Sequence, residues 1–203
     1  MITKENLFIN ILLTNQKKKE FFEIVDRDFI RYNYLDYCII WFFCNLLEAS
    51  RDFLYNDFFN ILDLFKNVLN NLNLNLSFFN EKKLIHPMKL IHIILKNLRN
   101  DVTKILGGEL LIKILEILNK FYRPIEDKDV QMHYIFITFY LIEFDYNDRI
   151  KEYILKNYNR ILVNIIDQDY DYSKDYNTII IRIFGELLLG EKENIDVNLI
   201  KKF

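Results

Sequence analysis

Glycine and proline are scarce in this chain of 203 residues, at four and two copies. Sheet proteins draw on both residues for their many tight turns. Their shortage argues against a sheet architecture and for helices joined at a few corners. Cysteine is equally rare. Cys38 and Cys44 lie six positions apart in one apolar stretch, a spacing that cannot bridge within a helix and belongs to no disulfide framework. Both read as small buried hydrophobes of a reducing compartment, which makes the Asn75-Leu76-Ser77 glycosylation sequon incidental. There are three histidines, His86, His92 and His133, and none combines with cysteine or carboxylates at metal-ligand spacing. Gly107-Gly108 lacks a phosphate-loop context, and no nucleophile elbow or triad pattern is present. The sequence therefore offers no catalytic residue, no metal ligand set and no cofactor site, and it reads as a non-enzyme.

Excess charge is lacking too. The formal net charge of −2 argues against a protein built to coat nucleic acid, because such binding is driven by phosphate neutralisation. Lys17, Lys18 and Lys19 form the one basic run of note, and it reads as a solvated loop or helix end. No stretch reaches the ~18 apolar residues of a membrane-spanning helix. Leu7–Leu13 is too short and too closely flanked by charge to make a signal peptide. The expectation is an intracellular chain without membrane insertion.

What the sequence does have is core material: 51% hydrophobic and 16% aromatic residues, which excludes a disordered composition. Tyr34–Ser50, YLDYCIIWFFCNLLEAS, holds the single tryptophan, Trp41, with Asn45 four residues on. Positions i and i+4 share a helix face, so an indole and a carboxamide sit one turn apart on an otherwise apolar helix. Phe58–Leu69 is amphipathic. The segment 70–80 alternates polar and apolar residues, but a lone strand has nothing to pair with here, so a loop is expected. Leu84–Asn100 reads as a helix with Pro87 in its first turn, and Gly107-Gly108 supplies a corner. Helices follow over Glu109–Phe121, Asp127–Ile142, Asp148–Lys156 and Arg160–Ile166. The acidic segment 167–176 is expected to be a loop. Asn177–Leu189 is a helix closed by Gly190. Two further apolar stripes lie within residues 1–25, and 191–203 reads as a tail.

The order of short helix, corner, medium helix, loop and long helix recurs, so internal periodicity is the natural test. With the long helices as markers, the pairs Trp41/Asn45, Ile93/Asn97, Phe136/Tyr140 and Arg182/Glu186 fall in sequence. Their spacing is roughly 43 to 52 residues, close to that of three-helix armadillo-type units. The expected architecture is all-α: a right-handed superhelical solenoid of about four armadillo-type three-helix repeats. It occupies one domain over 1–203, with a partial unit at 1–25, repeats near 26–50, 51–101, 102–144 and 145–190, and a tail at 191–203.

These residues resemble the armadillo repeats of importin-alpha, the adaptor that binds nuclear localisation signals. The third helices of that family carry a Trp-x-x-x-Asn pattern, which Trp41–Asn45 keeps within CIIWFFCNLLEASRDFL. LKNLRND, with Asn97, is similar to the next unit, and Ile93 stands where tryptophan is expected. DKDVQMHYIFITFYLIEFDYNDRI is similar to the following unit: Asp129 matches a groove acid, Phe136 replaces tryptophan and Tyr140 matches a tyrosine. IIIRIFGELLLGE is similar to the last, with Arg182, Gly185 and Gly190 matching and Glu186 in place of asparagine. The likeness spans roughly residues 30–195, about four units.

The resemblance implies a nuclear-import adaptor of the cytoplasm and nucleus that grips basic signal peptides in a concave groove. Its partners are Lys/Arg-rich segments of cargo proteins and an import carrier, although the family's basic amino-terminal arm for that carrier is absent. Indole faces stack on the aliphatic stems of cargo lysine or arginine, asparagines hold the peptide backbone, and acids pair with the basic heads. The implied peptide-binding set is Trp41, Asn45, Glu48, Ile93, Asn97, Asp129, Phe136, Tyr140 and Arg182, with Glu143 a further acidic partner. His133 stands where the family has an acid. Three of these residues also have a purely structural alternative. Trp41 is a core residue, Asn97 bonds a neighbouring turn, and Arg182 pairs with Glu186 at i+4. The matching functional alternative is a degenerate armadillo or HEAT scaffold that docks another protein without binding signal peptides.

Overall fold

The computed structural model describes residues 37–49, 58–75, 81–121, 125–143, 149–157 and 174–190, together with Glu20 and Glu23. Among these residues the chain is all-helical, with seven α-helices and no strand. They are α1 (Tyr37–Ala49), α2 (Phe58–Asn75), α3 (Glu81–Leu98), α4 (Val102–Asn119), α5 (Lys128–Glu143), α6 (Arg149–Asn157) and α7 (Lys174–Gly190), with a 3-10 turn at Arg99–Asp101.

Apolar spacing explains how they pack. Ile40, Phe43, Cys44 and Leu47 form the i, i+3, i+4, i+7 stripe of α1, and all four are buried. Helix α1 lays this stripe on α3, α3 packs on α5, and α5 packs on α7. The result is a row of four helices, each seated against the next. Cys44 Sγ approaches the carbonyl of His86, and Glu48 reaches Lys89. Residue numbers rise together across that joint, so α1 and α3 run in the same direction. A second layer backs the row. There α2 packs on α4, with Leu64, Phe65, Val68, Leu69 and Leu72 of α2 and Leu110, Leu111, Ile114 and Leu118 of α4 all buried. Lys113 Nζ adds a tie at 3.1 Å by donating to Asn70 Oδ1.

A helix in the middle of a row has neighbours on both flanks and needs apolar residues nearly all round. Helix α5 meets that need. Val130, Tyr134, Ile135, Ile137, Thr138, Phe139, Leu141 and Ile142 are all buried. Gln131 and His133 are buried with them, and the two hydroxyls find backbone partners: the Tyr134 hydroxyl donates to Leu118 O at 3.3 Å, and the Thr138 hydroxyl to Tyr134 O at 3.0 Å. Asp127 caps the helix, its Oδ1 accepting from the backbone N–H groups of Asp129 and Val130 at 3.0 and 3.2 Å.

Several boundaries differ from the sequence expectation. The alternating segment after Leu69 is not a loop up to residue 75, because α2 continues to Asn75. Leu72 is the reason: it is fully buried three residues beyond Leu69 and extends the same stripe. Pro87 does not lie in a first turn, since α3 begins at Glu81 and the proline is interior to it. Burial of Leu84 holds that extra turn in place. Helix α7 starts at Lys174, inside the segment read as an acidic loop. The glycine corner is present. Gly107 adopts φ 69°, ψ 167°, which divides α4 into a short arm and a long one. The helix expected over Arg160–Ile166, the stripes within 1–25 (apart from Glu20 and Glu23) and the tail at 191–203 lie outside the described residues. No helix among the described residues is long and apolar enough to cross a membrane.

Candidate functional site: one face of the helix row

Polar and aromatic side chains of the four helices meet across each of the three joints of the row. Trp41 on α1 is 53% exposed, so the single indole is not part of the core. Asn45, one turn on, donates its side-chain N–H to the Trp41 carbonyl at 2.9 Å. Its amide is therefore held beside the indole by the helix backbone. Glu48 completes the polar side of α1 and pairs with Lys89 of α3 at 2.9 Å across the first joint.

On α3 the two residues singled out from sequence are placed differently from the pair on α1. Ile93 is 4% exposed and belongs to the core. Asn97 points its amide across to α1, donating to Leu47 O at 3.4 Å, and so ties the two helices together. Lys89, His92 and Lys96 of α3 form a polar stripe instead, at i, i+3 and i+7.

The second joint is bridged by two imidazoles. His92 Nδ1 of α3 lies 3.0 Å from His133 Nδ1 of α5. One ring donates and the other accepts, so the accepting ring must be neutral and the pair cannot be doubly protonated. Burial pushes both pKa values down. His92 falls to about 3, helped by the neighbouring charges of His133, Lys96 and Lys89. His133 falls to about 4, helped by Lys89 and His86. His92 also lies flat on Phe136, with ring centroids 4.8 Å apart and planes 6° from parallel. Tyr140 closes the cluster at 5.7 Å from His92 and 6.3 Å from Phe136. Burial and nearby Glu143 raise the Tyr140 pKa, which keeps the phenol protonated at neutral pH. Phe136 and Tyr140 thus share one stacked cluster, and its third ring is supplied by α3.

The third joint carries an ion pair again. Arg182 of α7 donates to Glu143 of α5 at 2.7 Å and lies 5.0 Å from the centre of the Phe139 ring. Glu143, and not the Glu186 of the structural alternative, is thus the carboxylate that meets Arg182. Glu186 pairs with Lys151 of α6 at 3.2 Å. Asp129 lies exposed in the first turn of α5, where the helix dipole favours a carboxylate.

Each joint of the row thus has a polar bridge: Glu48–Lys89, His92–His133 and Glu143–Arg182. Sequence reasoning missed Lys89 and His92 as parts of the site. The signal that could have found them is the Lys89, His92, Lys96 stripe on an otherwise apolar helix. Among the described residues, no group of three or more His, Cys, Asp or Glu side chains is arranged to hold a metal ion. Cys44 is fully buried beneath the surface, and burial pushes its thiol up to about 12, so it offers no thiolate at neutral pH. The chain matches no protein-family model, no curated protein and no solved structure.

Proposed function

We propose that the chain is a peptide-binding adaptor of importin-alpha type, in which an extended Lys/Arg-rich segment lies across the face of α1, α3, α5 and α7. In this reading the row and its backing layer are successive armadillo-type units of a right-handed solenoid. The observation that carries the proposal is the exposed indole of Trp41, fixed on a helix whose other aromatic and aliphatic residues are largely buried. A large apolar ring held at the surface beside a carboxamide suits the aliphatic stem and backbone of a peptide. Glu48, Glu143 and Asp129 supply negative charge on the same face for basic head groups, and Phe136 and Tyr140 supply a second, weaker aromatic contact.

Calorimetric titration with a Lys/Arg-rich peptide tests this. The expected result is saturable binding that weakens about tenfold or more in Trp41→Ala, in the range of a hot-spot aromatic. Absence of heat, with absence of binding by a second method, would overturn the reading.

A second reading is a helical scaffold that docks another folded protein and no signal peptide. A specific observation favours it: the second unit uses Ile93 for the core and Asn97 for holding α1, so it presents no indole and no free backbone anchor at those positions. A stoichiometric protein partner whose affinity is insensitive to Trp41→Ala would support that reading over the first.

A further inference from the structure

Two of the carboxylates placed to receive basic head groups are already engaged by cations of the chain itself. Lys89 Nζ reaches Glu48 at 2.9 Å from the neighbouring helix, and Arg182 Nη2 reaches Glu143 at 2.7 Å. Both pairs bridge joints of the row, both lie on the face assigned to the peptide, and both are open to water. The side chains of the first pair are 25% and 49% exposed, and those of the second 57% and 29%. Exposed ion pairs of this kind contribute little to stability. Neither pair is needed to hold its joint closed, because buried apolar stripes already do so at both.

We propose that Lys89 and Arg182 are built-in competitors for the peptide's basic groups, holding Glu48 and Glu143 in the way a bound lysine or arginine would. The inference rests on the peptide-binding reading and adds its regulation and specificity. A ligand must displace an internal cation at each of these acids, so a single basic residue gains little and a segment presenting several gains at both places. The two competitors differ in kind. Lys89 is a compact charge on a flexible stem and releases readily. The Arg182 guanidinium is also held over the Phe139 ring, so the position at Glu143 opens less easily. The first joint, beside Trp41 on the same helix, is therefore the principal entry point for the basic group.

The internal cation also disfavours unwanted partners. With Lys89 and Arg182 in place, the two acids present no free negative charge to isolated cations or to loosely basic surfaces. Removing either cation should broaden binding as well as tighten it.

The test is a double-mutant cycle read by binding of a fluorescein-labelled Lys/Arg-rich peptide to the full chain. Lys89→Met keeps the aliphatic stem and removes the charge. It is expected to tighten binding about three- to tenfold, with a gain that shrinks as salt is added. Arg182→Met is expected to do the same to a smaller extent. Glu48→Gln should weaken binding, and Lys89→Met made in the Glu48→Gln background should give no further gain. Circular dichroism and thermal melts establish that each variant is folded. If the wild-type chain binds the peptide and Lys89→Met leaves the affinity unchanged or lowers it, the competitor role is overturned while the peptide reading stands. If Lys89→Met tightens binding equally with and without Glu48, its action is general repulsion, and the competitor role is again overturned. If neither the wild type nor either Met variant binds, both the inference and the peptide reading fall. Binding by the Met variants alone supports both.

Discussion

His92 and His133 meet Nδ1 to Nδ1 at 3.0 Å across the joint between α3 and α5, the most extensively packed pair of helices in the row. The contact needs a neutral accepting ring, and burial keeps both rings neutral at pH 7 by lowering both pKa values below the ordinary 6.5. In the unfolded chain each ring protonates near 6.5. Below that pH the unfolded state binds more protons than the folded one, so stability is full above about pH 6.5 and declines as the pH falls towards the folded values. Between pH 7.5 and 5.5 the two rings together should cost about 1–3 kcal/mol. Urea melts at the two pH values check this. Carrying His92→Gln and His133→Gln together should flatten the difference, since neither position then titrates.

Asn97 and Asn45 look alike in sequence, four residues after a large apolar side chain, but they do different work. Asn97 bonds a carbonyl of another helix, whereas Asn45 bonds the carbonyl one turn back on its own. Asn97→Ala should therefore destabilise the fold by about 1 kcal/mol, the usual worth of such a bond. Asn45→Ala, at an exposed local bond, should cost a few tenths at most. Paired denaturation curves distinguish the two, and peptide affinity should show the reverse order, with the larger loss at Asn45.

The adjacent glycines of α4 should respond in opposite ways to the same substitution. Gly107 sits at φ 69°, ψ 167°, a region essentially closed to other residues, while an added Cβ would meet nothing within 4 Å. Gly107→Ala therefore costs backbone strain and no clash, about 1–3 kcal/mol. Gly108 is helical, and a Cβ there also meets open space. Gly108→Ala should be neutral or stabilise by up to about 1 kcal/mol. Thermal melts of the two single variants are sufficient to compare them.

Cys44 should be inert in the folded chain. Its sulfur is buried and its thiol is held protonated far above neutral pH. In a Cys38→Ser background, a thiol reagent at pH 8 should label Cys44 only at the rate of unfolding, followed by absorbance with and without urea.

The helical class was legible from the shortage of turn-forming residues, and most helices from their apolar stripes. The boundaries were less so. In α2 the asparagines after Leu69 carry little helix preference, yet burial of Leu72 extends the helix past them. Tertiary packing, which no local pattern records, decided that end. On α3 the register of the surface was the difficulty. Lining up Ile93 and Asn97 with Trp41 and Asn45 follows sequence spacing, but α3 lies between two neighbours and needs apolar residues on both flanks. Ile91, Ile93, Ile94 and Leu95 are all buried, and the surface is left to His92, one position earlier. Phe136 and Tyr140 were picked out on α5 by their repeat register with Trp41 and Asn45, and they stack one turn apart. Their third ring comes from another helix, and so does the partner of Arg182. Pairings across a joint depend on how far one helix slides along the next, which a single sequence does not state.

Fluorescence of Trp41 during titration with a Lys/Arg-rich peptide tests the central claim most directly, because the chain has one tryptophan and that ring is exposed. The free protein should emit at a long, water-like wavelength. Peptide addition should shift the emission to shorter wavelength, saturably, and Glu48→Gln should move the midpoint to higher peptide concentration. An emission spectrum unmoved by peptide, while an independent assay detects peptide bound to the chain, would place the binding away from Trp41 and contradict the account.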